Sequence, residues 1–200
     1  GKMKPSLAYH LVTTFVPNGG KVLDPFAGVG TIPFEASLNG MKSYAFDISP
    51  AALEICKAKL TPVSEKDCMR LLEQLESFLL DYKLKKTDSL MIENFGFNGK
   101  LAEYFHEKTL KEIIAARHFF SSLPLDTKGR SIILACMLHI LHGNRPYALS
   151  RKSHPITPFR PTGSTEYRSL IDRLKTKLIR CLSTELPPSF VSGKTYFQDA

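Results

Sequence analysis

Asp24 and Asp47 are the residues of this chain whose type and spacing point most directly to chemistry. Asp24 ends the short run Lys21-Val-Leu-Asp24 and opens the segment Asp24-Pro-Phe-Ala-Gly28-Val-Gly30-Thr31. Two glycines in such a segment let backbone approach a ligand closely at a helix N-terminus. Asp47 ends a second run, Ser43-Tyr-Ala-Phe-Asp47, 19 residues after Gly28. A carboxylate at that point can accept both hydroxyls of a ribose. No Gly-Lys-Ser/Thr follows the glycines, so the segment is not a P-loop. Asp24 would repel a diphosphate and suits a positively charged ligand. S-adenosylmethionine, with a sulfonium, an ammonium and a ribose, meets both acids. The competing reading of Asp24 is a cap on the turn that follows it.

These groups need strands and helices to place them. Residues 4–16 carry Leu7, Leu11, Val12 and Phe15 at helical spacing, and Pro17-Asn-Gly-Gly20 stops that helix. Lys21–Asp24 reads as a strand, 31–39 as a helix ended by Gly40, and Ser43–Asp47 as a second strand. Ser49-Pro50 caps and opens a helix that ends near Leu60. Short β-α-β-α connections imply parallel strands with a right-handed crossover. Beyond Ser64 the pattern turns helical: 64–82, 99–120, a buried helix over 129–142, and an amphipathic basic helix over 165–186. Residues 144–163 read as irregular and exposed. A third strand returns at Gly193–Asp199. The expected fold class is α/β, a partial Rossmann-like sheet of three strands with a large helical insertion. Its expected divisions are 1–60 as the β-α-β unit with its preceding helix, 61–190 as the insertion, and 191–200 as the third strand.

Composition narrows the classes. The chain is 43% apolar and 23% charged, which fits a globular protein and excludes disorder as the main state. The longest apolar run, 132–141, is half the ~20 residues of a membrane span, and no leader pattern opens the sequence. Four scattered cysteines form no C-x-x-C pair, the usage of reduced thiols. The expectation is a soluble cytoplasmic protein with no membrane partner and no metal. The pair His139-x-x-His142 lacks the Glu and third ligand of a metalloprotease and reads as core or helix-end histidines. Net charge is +8, and nine basic against two acidic residues between Asn144 and Arg180 carry most of it. Arg145, Tyr147, Arg151, Lys152, His154 and Arg160 are the candidate nucleic-acid contacts, since arginines fork onto guanine or phosphate and aromatics can stack on bases. A solvated basic loop is the alternative.

The segment Asp24-Pro-Phe-Ala-Gly-Val-Gly-Thr31, followed by Glu35-Ala36, Gly40 and Asp47-Ile48-Ser49, resembles the cofactor motifs of amino-group DNA methyltransferases. Those enzymes methylate adenine N6 or cytosine N4. The resemblance is specific over residues 1–60, looser over 100–200, and absent over 61–99. It implies that Asp24, Phe26, Gly28, Gly30 and Thr31 line the methionine and ribose of S-adenosylmethionine. By the same resemblance Asp47 holds the ribose, Ile48 packs on adenine, Asp199 accepts the adenine amino group, and Lys4 lies where the methionine carboxylate is met. The order of motifs implies that the insertion recognises double-stranded DNA with a flipped base, as in restriction-modification.

The family places an Asp/Asn/Ser-Pro-Pro-aromatic tetrapeptide at the end of its fourth strand, and none occurs here. Asn144-Arg-Pro-Tyr147 comes nearest, with Asn144 and Tyr147 as weak catalytic candidates, but Arg145 stands where the first proline belongs. No catalytic residue is therefore assigned. The chain reads as the N-terminal part of such an enzyme, inactive by itself, with a second polypeptide or a longer chain supplying the tetrapeptide. An RNA guanine-N2 methyltransferase and a catalytically inactive cofactor- or DNA-binding subunit of a split enzyme remain as alternatives.

Overall fold

The structure, a computed structural model, describes residues 3–93, 101–143, 145–153 and 161–198. Its elements run α1 (Pro5–Phe15), β1 (Lys21–Asp24), α2 (Thr31–Leu38), β2 (Lys42–Asp47), α3 (Pro50–Leu60), α4 (Glu65–Asp81) and α5 (Lys86–Glu93). After a single 3₁₀ turn at Leu101–Glu103 come α6 (Glu107–Ser122), α7 (Arg130–Leu141), β3 (Lys152–Ser153), β4 (Pro161–Thr162), α8 (Leu170–Leu182) and β5 (Lys194–Phe197). They form two compact units: Gly1–Glu65 with Leu182–Ala200, and Lys66–Cys181.

The first unit is a parallel three-stranded sheet in the order β1-β2-β5. Its α/β class and three parallel strands agree with the fold expected from the sequence. Parallel neighbours cannot be joined by a hairpin, and α2 supplies the crossover from β1 to β2. Pro5 starts α1 with a preset φ, and Ala8 and Val12, one turn apart, bury its inner face. Val12, Val22, Ala36 and Met41 make one core cluster, and Ala27, Ala45, Cys56 and Leu60 a second. Gly40, at φ 78°, ends α2 in the left-handed conformation that glycine adopts without steric cost. β5 joins the sheet closely: Gly193 N–H donates to Leu60 O at 3.2 Å. A Cβ on Gly193 would run into the Ser43 hydroxyl, so only glycine lets the last strand approach there. The sheet is covered on one side by α2 and α3. On the other side Leu23 is 63% exposed and Phe46 stacks on Tyr196 at 4.7 Å.

The second unit is mostly helical. α4 buries Cys68, Leu71, Leu72, Leu75 and Leu79, and α8 buries Leu170, Leu174 and Leu178, each at helical spacing. No side chain of α7 is exposed, as its apolar sequence requires. Three expectations need correction. The helix expected from residue 99 begins at Glu107, capped by His106, whose Nδ1 accepts from Lys108 N–H. The helix expected over 165–186 is the shorter α8. Its start is set from a distance, because Glu112 on α6 accepts from Leu170 N–H at 2.7 Å and Thr109 exchanges hydrogen bonds with the Arg168 backbone. Carboxylate caps of this kind leave no mark in the neighbouring sequence. The stretch read as irregular and exposed buries Ala148, Leu149 and Ser150, and it pairs β3 with β4 in antiparallel register. Its polar backbone is satisfied by Leu149 N–H to Ile140 O and by Arg151 N–H to Tyr104 O.

α5 had no counterpart in the sequence reading. It is anchored by Asp88, a fully buried carboxylate that accepts from Lys85 N–H and Tyr82 Oη, each at 2.8 Å, and meets His118 Nε2 at 2.8 Å. Burial alone would raise the Asp88 carboxyl. The hydrogen bonds from Lys85, His118 and Tyr82 outweigh it and hold the group below its ordinary value. A depressed carboxylate stabilises the fold above its unfolded pKa and loses that contribution as pH falls through the folded one. Urea midpoints of the chain should therefore drop as pH falls below about 3.9, and Asp88→Asn should flatten that acid limb. Parallel acid limbs for both proteins would contradict this anchor.

Candidate cofactor site in the glycine loop

The two acids stand at adjacent strand ends because β1 and β2 pair in parallel, with Asp24 opposite Ala45. The loop between them is fixed from several sides. Ala27 N–H donates to Phe46 O at 2.9 Å, tying the loop to β2, and Gly30 N–H donates to Ala27 O at 2.7 Å. Asp47 accepts from Gly28 N–H at 2.7 Å through one oxygen and from Ser49 N–H at 2.8 Å through the other. Each carboxylate oxygen keeps a further lone pair for a ligand hydroxyl. Asp24 accepts from Phe26 N–H at 3.1 Å, so it does cap its turn, through Oδ1. Burial, and to a lesser degree the Asp47 charge, raise the Asp24 carboxyl, against the lowering effect of the Phe26 hydrogen bond. A carboxyl raised by burial and by a neighbouring negative charge makes a site that gains from a cation.

The glycines divide the work. Gly28, at φ 51°, has nothing within 4 Å of where a Cβ would stand, so that side of the loop faces open space. Gly30, at φ 73°, is the N-cap of α2, and a Cβ there would collide with the Cys56 sulfur of α3. Around the loop Phe26 is 79% and Ile48 63% exposed, large apolar groups with no protein to cover them. Thr31 is the first residue of α2, and Lys4 is the exposed N-cap residue of α1, making no side-chain cap bond. Asp199 lies outside the described residues. Phe197, two positions before it, pairs in register with Asp47 and is 69% exposed.

Sequence reading passed over three supports of this loop. Lys59 Nζ donates to Val29 O at 2.7 Å, Cys56 packs beneath Gly30, and Phe197 stands beside Asp47. Cys56 and Lys59 share a face of α3 at i, i+3 spacing, which was the available signal. Burial pushes the Cys56 thiol up to about 12, so it serves as packing and not as a nucleophile.

The described nucleic-acid candidates, Arg145, Tyr147, Arg151 and Lys152, fall within the second unit. Tyr147 stacks on His139 with its hydroxyl 3.0 Å from His139 Nε2, and the Arg145 guanidinium lies 3.2 Å from the same nitrogen and over the Tyr147 ring. Arg151 donates to Glu103 O, and Lys152 is exposed on β3. Asn144, His154 and Arg160 lie outside the described residues. Part of the basic charge serves the fold itself: Arg168 donates to the carbonyls of Ala148 and Ser150, and Arg173 to those of Pro146 and Ala148. His142, just past the end of α7, has its Nδ1 3.1 Å from the Ser150 hydroxyl, so His139 and His142 have separate partners. Among the described residues no group of three or more His, Cys, Asp or Glu could hold a metal, and no helix is long and apolar enough to cross a membrane.

A parallel β-α-β unit with an open glycine loop and an acid at each of two strand ends is consistent with a Rossmann-like methyltransferase fold. Residues 1–93 match the family model described as UPF0020, RMKL-like, methyltransferase domain, so this part of the chain is similar to a methyltransferase domain. The chain is 35% identical over 77 residues to the Type II methyltransferase M.MvaI of Kocuria varians, covering 37% of this chain and 17% of that protein. It is 30% identical over 121 residues to the tRNA (guanine(10)-N2)-dimethyltransferase of Methanothermobacter thermautotrophicus, covering 59% of this chain and 35% of that one. The chain thus spans about a sixth and a third of the lengths of these relatives. No solved structure matches it.

Proposed function

We propose that this chain is the cofactor-binding portion of an enzyme that moves a methyl group from S-adenosylmethionine to an exocyclic amino group of adenine or cytosine in DNA. The observation that carries the reading is the open space at Gly28 beside Asp47, with the raised Asp24 carboxyl next to it. Asp47 would hold the ribose, Asp24 the positive methionine end, Phe26 the methionine and ribose side, and Ile48 the apolar surface of the adenine. Gly28, Gly30 and Thr31 would form the backbone floor, with Lys4 and Asp199 contributing at its margins. Bound there, the cofactor supplies an electrophilic methyl group. The residues described hold and orient it and exclude water from one side of it.

The inserted helical unit suits recognition of a duplex with a flipped base, and Arg145, Tyr147, Arg151 and Lys152, with His154 and Arg160, are its proposed contacts. A second reading, methylation of guanine N2 in RNA, is favoured by the longer match to the tRNA enzyme. Competition between duplex DNA and tRNA for the chain separates the two. DNA should win under the first reading, and tRNA under the second.

Two further outcomes follow from the site. Cation binding keeps Asp24 ionised, so cofactor affinity should fall as pH drops through the raised Asp24 pKa. Asp24→Asn should bind more weakly at neutral pH and show no such fall. Equal pH profiles, followed by calorimetry, would remove Asp24 from the site. For DNA, log K should decline with log salt by about 0.9 per phosphate contact. Replacing exposed Lys152 and Lys175 together by alanine should reduce that slope by up to about two contacts. An unchanged slope would leave both lysines as ordinary surface.

A further inference from the structure

The glycine loop uses none of the thiol chemistry available in the helical unit. Cys136 on α7 and Cys181 on α8 are 45 residues apart in sequence, yet their sulfurs lie 3.8 Å apart, with the Cys136 thiol donating to Cys181. Cys136 is 3% exposed, whereas Cys181 is partly open to solvent. Lys177 and Arg180, one turn and one residue before Cys181, supply positive charge beside its sulfur. The hydrogen bond from Cys136 and those cations favour the thiolate on Cys181, and the same bond with burial keeps Cys136 protonated. One sulfur is thus a partly accessible nucleophile, and the other a buried thiol in contact with it. That division of roles is what a peroxide-reactive cysteine and its resolving partner require.

We propose that Cys136 and Cys181 are a redox modification site, in which a hydroperoxide oxidises Cys181 and Cys136 resolves it to a reversible disulfide. In the first step the Cys181 thiolate attacks one peroxide oxygen. An S–O bond forms, the O–O bond breaks, and the leaving oxygen takes up a proton, so the sulfur has given two electrons and become a sulfenic acid. In the second step the Cys136 sulfur attacks the Cys181 sulfur. The S–S bond forms, the S–O bond breaks, and the hydroxide leaves with the Cys136 proton as water. With hydrogen peroxide the sum is two thiols and one peroxide giving one disulfide and two waters. The product joins α7 to α8, the helices to which the 145–151 segment is tied through Ile140 O and the Arg173 guanidinium.

The test is to treat the folded chain with one equivalent of hydrogen peroxide, alkylate what remains, and digest without reduction for mass spectrometry. The expected product is the Cys136–Cys181 peptide pair in most molecules, lost again on adding dithiothreitol. Cys136→Ser should leave Cys181 as a sulfenic acid that dimedone labels, and Cys181→Ser should leave no disulfide. The wild-type digest decides the matter by itself if either variant fails to fold. A disulfide between Cys68 and Cys136, oxidation of Cys56 ahead of Cys181, or links only between molecules would overturn the proposal.

Discussion

Replacing Asp47 by alanine should weaken S-adenosylmethionine binding by at least about a hundredfold. The carboxylate is proposed to accept both ribose hydroxyls, and charge-assisted hydrogen bonds of that kind contribute about 1.5–3 kcal/mol each. The same oxygens also hold Gly28 N–H and Ser49 N–H, so the substitution frees the loop as well as the ligand. Asp47→Asn keeps one acceptor oxygen and should fall between the two. Glu73→Ala, an exposed carboxylate of α4, should leave affinity where it was. Calorimetry reads all three, and a tight Asp47→Ala complex would remove the ribose from this strand end.

The two loop glycines should respond in opposite ways. Gly30→Ala places a Cβ against the Cys56 sulfur at φ 73°, a conformation that costs an L-residue about 1–2 kcal/mol before any clash. Overpacking adds roughly 1–3 kcal/mol. The sum, about 2–5 kcal/mol, is a large part of the stability of a small domain. Gly28→Ala meets no atom within 4 Å, so it should cost the fold about 1–2 kcal/mol from φ alone. Its methyl group, however, stands in the space assigned to the cofactor and should cut affinity by at least about tenfold. Urea unfolding and calorimetry on the two variants should therefore rank them in reverse order. The same ranking in both measurements would mean that Gly28 faces no ligand.

The β-α-β unit could be read from sequence because its signals are local. Pro5, Gly40 and Ser49-Pro50 mark helix ends by their own backbone preferences, and Asp24 and Asp47 close their strands where the apolar alternation stops. Gly28 and Gly30 look alike in sequence, and their different tasks appear only when α3 brings Cys56 beneath one of them. The helical unit was harder because its boundaries are set by distant partners. Glu112 caps α8 from α6, Asp88 fixes α5 through His118, and Arg168 and Arg173 satisfy the carbonyls of a segment that looked like exposed loop. A count of basic residues cannot separate an arginine that binds its own backbone from one offered to phosphate.

The proposed function requires that the loop between β1 and α2 hold S-adenosylmethionine. A titration of the isotope-labelled chain followed by NMR tests it most directly. Adding S-adenosylmethionine should shift the amides of Phe26, Gly28, Ile48 and Ser49, with the amides of α4 to α7 unmoved and NAD producing no matching shifts. Shifts confined to the helical unit, or a loop that responds to NAD and not to S-adenosylmethionine, would contradict it.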